Sequence, residues 1–463
     1  MEKHSFDFDT IILGGGSAGY AAARTLADGG QQTAVIDGGE ELGGLCILRG
    51  CMPTKALLYA AEVKHLADHA ATWGLKIPTV GFDFKQVMAR KNAMIEDFAS
   101  YRREQLQSGK FELIRCLASF KDPNTLALEN GKSVTARNIL ISTGSTVGPL
   151  PIRALETASP WTSDDVLKLN RLPESIIVLG GGPVALELAQ FFLRFGVKTT
   201  VIQRSPHILK PFDTDMVIPL EESLRKEGMQ IYTDTQLVDG GIKGGRKFIT
   251  FNQDGKEHTV YAEAVLHSLG RQPNTHGLDL DKAGLDNGPG HIQTNLQMQT
   301  KIPHIYAAGD CTGPHEIVHI AIQQGEIAAH NILNPSSMKS MDYRVLVSVV
   351  FTDPQVAMVG MSEKEAKAAG KTVVTADYPF NDHGKSMIME ALHGNVKLIA
   401  DAKSGELLGG ACTGPMAGDL IHEVAVAIHQ RMTAEAFASV PHYHPTLAEI
   451  WTYPAEEIAE QIQ

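Results

Sequence analysis

Two glycine-rich turns, each set between an apolar strand and a small-residue helix, constrain this chain more than any other feature of it. Residues 9–13 run into Gly14-Gly15-Gly16-Ser17-Ala18-Gly19 and an Ala-rich helix. Residues 176–179 run into Gly180-Gly181-Gly182-Pro183-Val184-Ala185 and a helix expected over 186–195. Each feeds a second strand, 33–37 and 199–203, and the step from the last small residue to the strand's end is eighteen residues both times. In such a turn the first glycine makes the bend and the second lets a pyrophosphate touch the backbone. The third small residue lets helix and strand pack, and the helix N-terminus faces the phosphates. One such turn is weak evidence. Two in the same context predict two dinucleotide sites and a doubly wound α/β architecture.

With 463 residues the chain exceeds the roughly 250–300 at which a single core stops growing. Other segments fit around the repeats. ILISTG (139–144) and HSLGR (267–271) read as buried strands ending in glycine turns, and IYAAGD (305–310) delivers Asp310 to a strand's carboxyl end, where ligands sit in open α/β sheets. From about Tyr343 the pattern becomes alternating β-type runs, 345–351 and 396–400, with helices between. The expected division is 1–150 (first dinucleotide domain, first part), 151–275 (second dinucleotide domain), 276–342 (first domain, second part) and 343–463 (an α+β domain). A formal net charge of −12 argues against general nucleic-acid or anionic-membrane binding. The first ten residues lack a signal-peptide core and no uncharged apolar run reaches the roughly 18–20 residues of a span, so a cytoplasmic protein is expected.

Five cysteines, odd in number and sparse, make no disulfide framework. The close pair Cys46 and Cys51, within GGLCILRGCMPTK, calls for a catalytic or metal explanation. Five apart on one regular helix, their Cα atoms would exceed the roughly 7 Å reach of a disulfide. Pro53 is tolerated only in a helix's first turn. A helix is therefore predicted to begin near Gly50 or Cys51, with Cys46 on the preceding loop bending back to bond. Cys51 at that N-terminus, with Lys55 near, is placed to favour its thiolate, and the looser Cys46 suits exchange with a substrate. A zinc half-site or two ordinary buried thiols are the alternatives. Zinc needs about four ligands, and no second pair of suitable spacing occurs, so no metal is expected. Near the C-terminus, PHYHPTLAE (441–449) sets His444 five residues before Glu449, the minimal imidazole–carboxylate pair for acid–base work, with His442 as the other candidate.

Across its whole length the sequence resembles the flavin-dependent pyridine nucleotide–disulfide oxidoreductases, which include dihydrolipoamide dehydrogenase, glutathione reductase and mercuric reductase. The motifs that carry this are GGGSAG, GGLCILRGCMPTK, GGGPVALELA, YAAGDC, FTDPQVAMVG and HYHPTLAE, in order and spacing. The resemblance implies FAD held by Gly14, Gly16, Ser17, Ala18, Gly19, Gly44, Lys55, Ala118, Thr143 and Gly144. Asp37 would sit on the adenosine ribose and Asp310 on the ribityl chain. It implies a Cys46–Cys51 disulfide on one face of the flavin, and nicotinamide on the other beside a Lys55–Glu187 pair. The second nucleotide would be held by Gly180, Gly182, Pro183, Val184, Gln203 and Gly270. It further implies a homodimer in which His444 and Glu449 of one subunit complete the other's site, and a small-molecule or lipoyl disulfide or dithiol substrate.

Departures from the family pattern narrow the choice. The second strand ends in Gln203-Arg204 rather than the Glu of NAD-specific members, and Arg204 with Lys210 matches a basic pair that grips a 2′-phosphate. NADPH is thereby favoured over NADH, the competing reading being a solvated Arg. Ser17 and Arg24 match a glutathione pocket, but Glu326 stands where that pocket uses an Arg, and Pro183 replaces its gating Tyr. Mercuric reductase is near in ALELAQ, FTDPQVA and GDCT, yet no cysteine follows Cys412. The expectation is a dihydrolipoamide dehydrogenase-like disulfide reductase. Glutathione reductase-like or metal ion-reducing activity are the alternatives, and a flavin scaffold without catalysis is the reading from another class.

Overall fold

The computed structural model describes residues 6–285 and 290–462. It forms two compact units, the first from Met1–Pro53, Ala89–Pro149 and Gly270–Asp342, the second from Thr54–Met88, Leu150–Leu269 and Tyr343–Gln463.

In the first unit, strand Phe8–Leu13 is an almost continuous buried apolar run, as a parallel strand covered on both faces must be. It pairs in parallel with Thr33–Ile36 on one side and Ser133–Ile141 on the other. Glu112–Ile114 and Ile305–Ala307 extend the parallel part at its two ends. The N-terminal half of Ser133–Ile141 continues into an antiparallel meander with Thr125–Leu128 and Ala118–Asp122. Helix Ser17–Asp28 packs on helix Val318–Leu333 at backbone distance: a Cβ on Gly325 would lie 2.3 Å from the Ala18 carbonyl oxygen.

The second unit carries its own parallel sheet, in the order Gln230–Tyr232, Lys198–Ile202, Ser175–Leu179, Ala264–His267. It also holds a three-stranded meander, 236–262, and a five-stranded antiparallel sheet. That last sheet runs Val347–Val350, Gln355–Gly360, Leu407–Gly414, Asn395–Asp401, Val373–Pro379 and buries its inner face against helices Ala417–His429 and Thr452–Ile462. This is the doubly wound α/β architecture with a C-terminal α+β domain.

Several local expectations shift. The second glycine turn's helix begins at Pro183, not Leu186, because a proline at the first helical position gives up an N–H that has no intrahelical partner. Cys46 lies in a helical turn of its own, Leu45–Leu48, closed by Leu48 and Arg49 N–H groups donating to the Gly44 and Leu45 carbonyls. HSLGR is the end of strand Ala264–His267 and the turn after it. Residues 54–88 belong with the second unit. Leu57, Ala61 and Met88 join the core around Phe191, Phe192 and Phe195, and Phe82 meets Phe195 edge-on at 4.9 Å.

Candidate active site

The first glycine turn is built by contacts that leave no room for side chains. Gly14 has φ +98°, and a Cβ there would lie 2.5 Å from the Ser142 carbonyl oxygen. A Cβ on Gly19 would fall 1.9 Å from the Gly14 carbonyl oxygen, so helix and turn touch through backbone alone. Gly16 differs: its nearest would-be neighbour is Gly44 Cα at 4.0 Å, and it faces a cavity. It is also the N-cap of Ser17–Asp28 without a side-chain cap, which leaves first-turn N–H groups turned to that cavity.

The cavity, about 360 Å³, gathers Gly14, Gly16, Ser17, Ala18, Asp37, Gly44, Ala118, Thr143, Gly144 and Asp310, together with Cys46 and Cys51. Of the residues expected around the flavin, Gly19 lies beneath the turn rather than on the cavity wall, and Lys55 belongs to the second unit. Asp37 accepts from the Gly15 N–H (2.8 Å) and the Gly39 N–H (2.9 Å), which orients it and leaves part of its acceptor capacity for a ligand. Asp310 accepts from Ser145 Oγ at 2.6 Å, and Ser145 Oγ in turn accepts from Arg271 Nε at 2.8 Å. Glu316, also on the wall, was not singled out by the sequence. Burial, then the Asp310 charge, pushes its carboxyl above the usual range. A helix N-terminus, backbone-close glycines and two oriented carboxylates at strand ends fit a dinucleotide with a pyrophosphate and two polyol segments.

Cys51 is the first residue of helix Cys51–Asp68, where the macrodipole favours a thiolate. One turn later, Lys55 Nζ donates to Glu187 Oε2 at 2.7 Å and sits 4.7 Å from the Phe351 ring centroid. Glu187 is buried, and its other oxygen accepts the Phe351 N–H at 3.0 Å.

The second glycine turn repeats the first. Gly180 has φ +111°, with the Ser268 carbonyl oxygen 2.3 Å from a would-be Cβ, while Gly182 meets nothing. Pro183 and Val184 open the helix, and the third position, Ala185, is buried. Gln203 directly follows strand Lys198–Ile202 and lies under Gly181. Arg204 and Lys210 are exposed and form no hydrogen bond or ion pair with the described residues. Gly270, expected at this nucleotide, lies in the first unit, where its carbonyl accepts the Gly148 N–H.

At the C-terminal end the two histidines part company. The His442 side chain is only 6% exposed and is tied to Glu423 and the Val440 carbonyl. His444 has a side chain 78% exposed, and its Nδ1 stands 3.1 Å from both oxygens of the buried Glu449. Donation from Nδ1–H to that carboxylate leaves Nε2 for solvent-side proton transfer. Behind Glu449, a fully buried His383 points Nε2 at Oε1 from 3.4 Å. No sequence signal marked it.

The fold and these sites define an oxidoreductase with two dinucleotide-binding domains and a dithiol. The family model of the pyridine nucleotide-disulphide oxidoreductases matches residues 8–325, and that of their dimerisation domain residues 346–455. A dihydrolipoyl dehydrogenase of Geobacillus stearothermophilus is 33% identical over 98% of this chain and 96% of its own length. A mercuric reductase of Staphylococcus aureus is 32% identical over 96% of this chain and 81% of its own. Among solved structures, LpdA from Mycobacterium tuberculosis superposes with a TM-score of 0.87 at 27% identity, over 97% of this chain and 99% of its own. The chain belongs to the pyridine nucleotide–disulphide oxidoreductases: it is an FAD-dependent disulfide oxidoreductase with a C-terminal dimerisation domain. None of its described helices is long and apolar enough to cross a membrane.

Proposed function

We propose that this protein is a homodimeric NAD(P)H:disulfide oxidoreductase of the dihydrolipoamide dehydrogenase-like type. The observation that carries the reading is the single cavity that joins the first glycine turn, Asp37 and Asp310 to both Cys46 and Cys51. FAD would be held there by Gly14, Gly16, Ser17, Ala18, Asp37, Gly44 and Asp310, and when bound it supplies two-electron transfer between a nicotinamide and the dithiol. The Cys46 thiolate attacks a substrate disulfide, and the leaving thiolate takes a proton from His444 Nε2 of the partner subunit. The Cys51 thiolate then attacks the Cys46 sulfur, which expels the second substrate sulfur as a thiolate that takes its proton from solvent and leaves a Cys46–Cys51 disulfide. Glu449 holds His444 in the tautomer this needs.

For the coenzyme, Arg204 and Lys210 favour NADPH: both are exposed cations just past the second strand, without a partner among the described residues. A glutathione substrate is disfavoured because Arg24 is spent on Glu326, 3.1 Å away. Anaerobic rapid mixing with NADPH and with NADH tests the whole reading. Two-electron reduction should raise a long-wavelength charge-transfer band, lost in Cys51→Ser and kept in Cys46→Ser. The reverse pattern would exchange the roles of the two cysteines, and no band in the wild type would remove the dithiol from the path.

A further inference from the structure

The partner of the acid–base histidine is itself faced, from the side away from solvent, by a residue that no motif contains. Glu449 accepts His444 Nδ1–H at 3.1 Å on each oxygen, a symmetric approach that commits the carboxylate to neither. A second imidazole faces it from behind. His383 is 0% exposed, between the turns Phe380–Asp382 and Gly384–Ile388, with Nε2 3.4 Å from Glu449 Oε1. The opposite ring nitrogen, Nδ1, lies 2.8 Å from the Oγ of Ser386, which is also fully buried. Phe380 stands edge-on to the ring at 6.4 Å and blocks a swing to that side.

This geometry selects a tautomer. A hydroxyl can donate or accept, whereas the carboxylate on the other side can only accept. The Ser386 contact is satisfied when its Oγ–H donates to Nδ1, which leaves the ring proton on Nε2. That nitrogen faces Glu449 Oε1 at 3.4 Å without closing a hydrogen bond of ordinary geometry, and the Thr446 backbone also lies beside the ring. Burial lowers the ring's pKa from its ordinary value and so favours the neutral form. The titratable groups whose charge reaches it are Glu449 and His444, while neighbouring Asp382 is engaged by the Tyr378 hydroxyl. A neutral donor shares the carboxylate without cancelling its charge. A cation in the same place would compete with the His444 imidazolium for the one negative group between them.

We propose that His383 is a positioning residue for disulfide reduction. From the rear, its Nε2 faces Glu449 Oε1 at 3.4 Å, and a small turn of ring or carboxylate closes the N–H on that oxygen. Closed, it limits the rotation of Glu449 and draws off part of that carboxylate's acceptor strength, and so bears on both the orientation and the basicity of His444. The proposal rests on the reading of His444 as the acid–base group. His383 touches no reactant, and its influence passes entirely through Glu449.

The test uses the FAD-loaded dimer and separates the two half-reactions. His383→Leu removes the donor but fills the space, His383→Gln keeps an N–H donor at a similar reach, and Ser386→Ala frees the ring to choose the other tautomer. His383→Leu should slow disulfide reduction about 10-fold, the scale on which losing an outer partner of an oriented imidazole is felt. It should also move the pH limb assigned to His444 upward, because an unshared carboxylate stabilises the imidazolium more. Flavin reduction by the coenzyme should be unchanged. His383→Gln should restore most of the rate and return the limb, and Ser386→Ala should shift the limb the same way as Leu by a smaller amount. That Ser variant serves if His383→Leu does not fold. Unaltered rate and limb in Leu and in Ser386→Ala, beside a slow His444→Gln, would overturn the proposal and leave the dyad standing. A normal disulfide rate in His444→Gln would instead overturn the dyad, and this inference with it. A loss in Leu that Gln does not rescue would mark His383 as a packing residue only.

Discussion

Two glycines of the first turn, three residues apart, should fail in opposite ways when each is given one methyl. In Gly19→Ala the new Cβ starts 1.9 Å from the Gly14 carbonyl oxygen and 2.7 Å from Ser142 Oγ, well inside van der Waals contact. Helix Ser17–Asp28 must lift from the turn, at an overpacking cost of about 1–3 kcal/mol. That is several degrees of melting temperature, at roughly 2–4 °C per kcal/mol for a domain of 150–250 residues. Gly16→Ala meets no protein atom closer than 4.0 Å, and its φ of −68° suits any residue. The fold should hold or gain about 0.4–1 kcal/mol through the less flexible unfolded chain. Its methyl projects instead into the cavity, where losing even one hydrogen bond to a phosphate costs about 1.5–3 kcal/mol, or on the order of 10- to 150-fold in FAD affinity. Melting curves of the flavin-free proteins, with flavin retained per chain after dialysis, read the two effects apart. Gly16→Ala retaining its flavin as tightly as wild type would show that the turn does not lie against the pyrophosphate. A Gly19→Ala protein as stable as wild type would show that the backbone contact is not a constraint.

Other expectations follow from the same geometry. His444→Gln should lower disulfide turnover about 10²–10⁴-fold while flavin reduction by the coenzyme survives. His442→Gln should be milder, since that ring is already tied to Glu423. Arg204→Glu should raise the KM for NADPH about 10- to 100-fold and leave NADH nearly unchanged. A wild type that prefers NADH, with an indifferent Arg204→Glu, would put the guanidinium in solvent. Burial lowers the His383 pKa from 6.5, so the unfolded chain takes that proton first. Its contribution to stability is therefore whole above pH 6.5 and lost as pH falls through the folded value. The melting temperature of His383→Gln should accordingly fall less than wild type between neutral and mildly acidic pH.

What could be read from the chain was what local chemistry dictates. Gly14 and Gly180 are legible because only glycine sits so close to a neighbouring carbonyl, and Cys51 because Pro53 forces a helix start nearby. The helix at Pro183 opens three residues before residue 186 because a proline at the first helical position gives up an N–H that has no partner there. The turn holding Cys46 carries no sequence signal, since four residues are too few for a period. His383, Glu316 and the packing of residues 54–88 on Phe191, Phe192 and Phe195 depend on contacts far apart in sequence, and nothing local announces them.

The exposure of His444 over a buried Glu449 has a consequence for how damage adds up between subunits. If each imidazole serves the neighbour's thiols, a chain altered at Cys46 and a chain altered at His444 are both inert in pure form. Refolded together, they would produce mixed pairs in which one centre carries both lesions and the other carries none. With random pairing, about half the dimers are mixed and each has one whole centre, so roughly a quarter of wild-type turnover should return from two dead parents. Complementation between alleles is thus written into where a single side chain points.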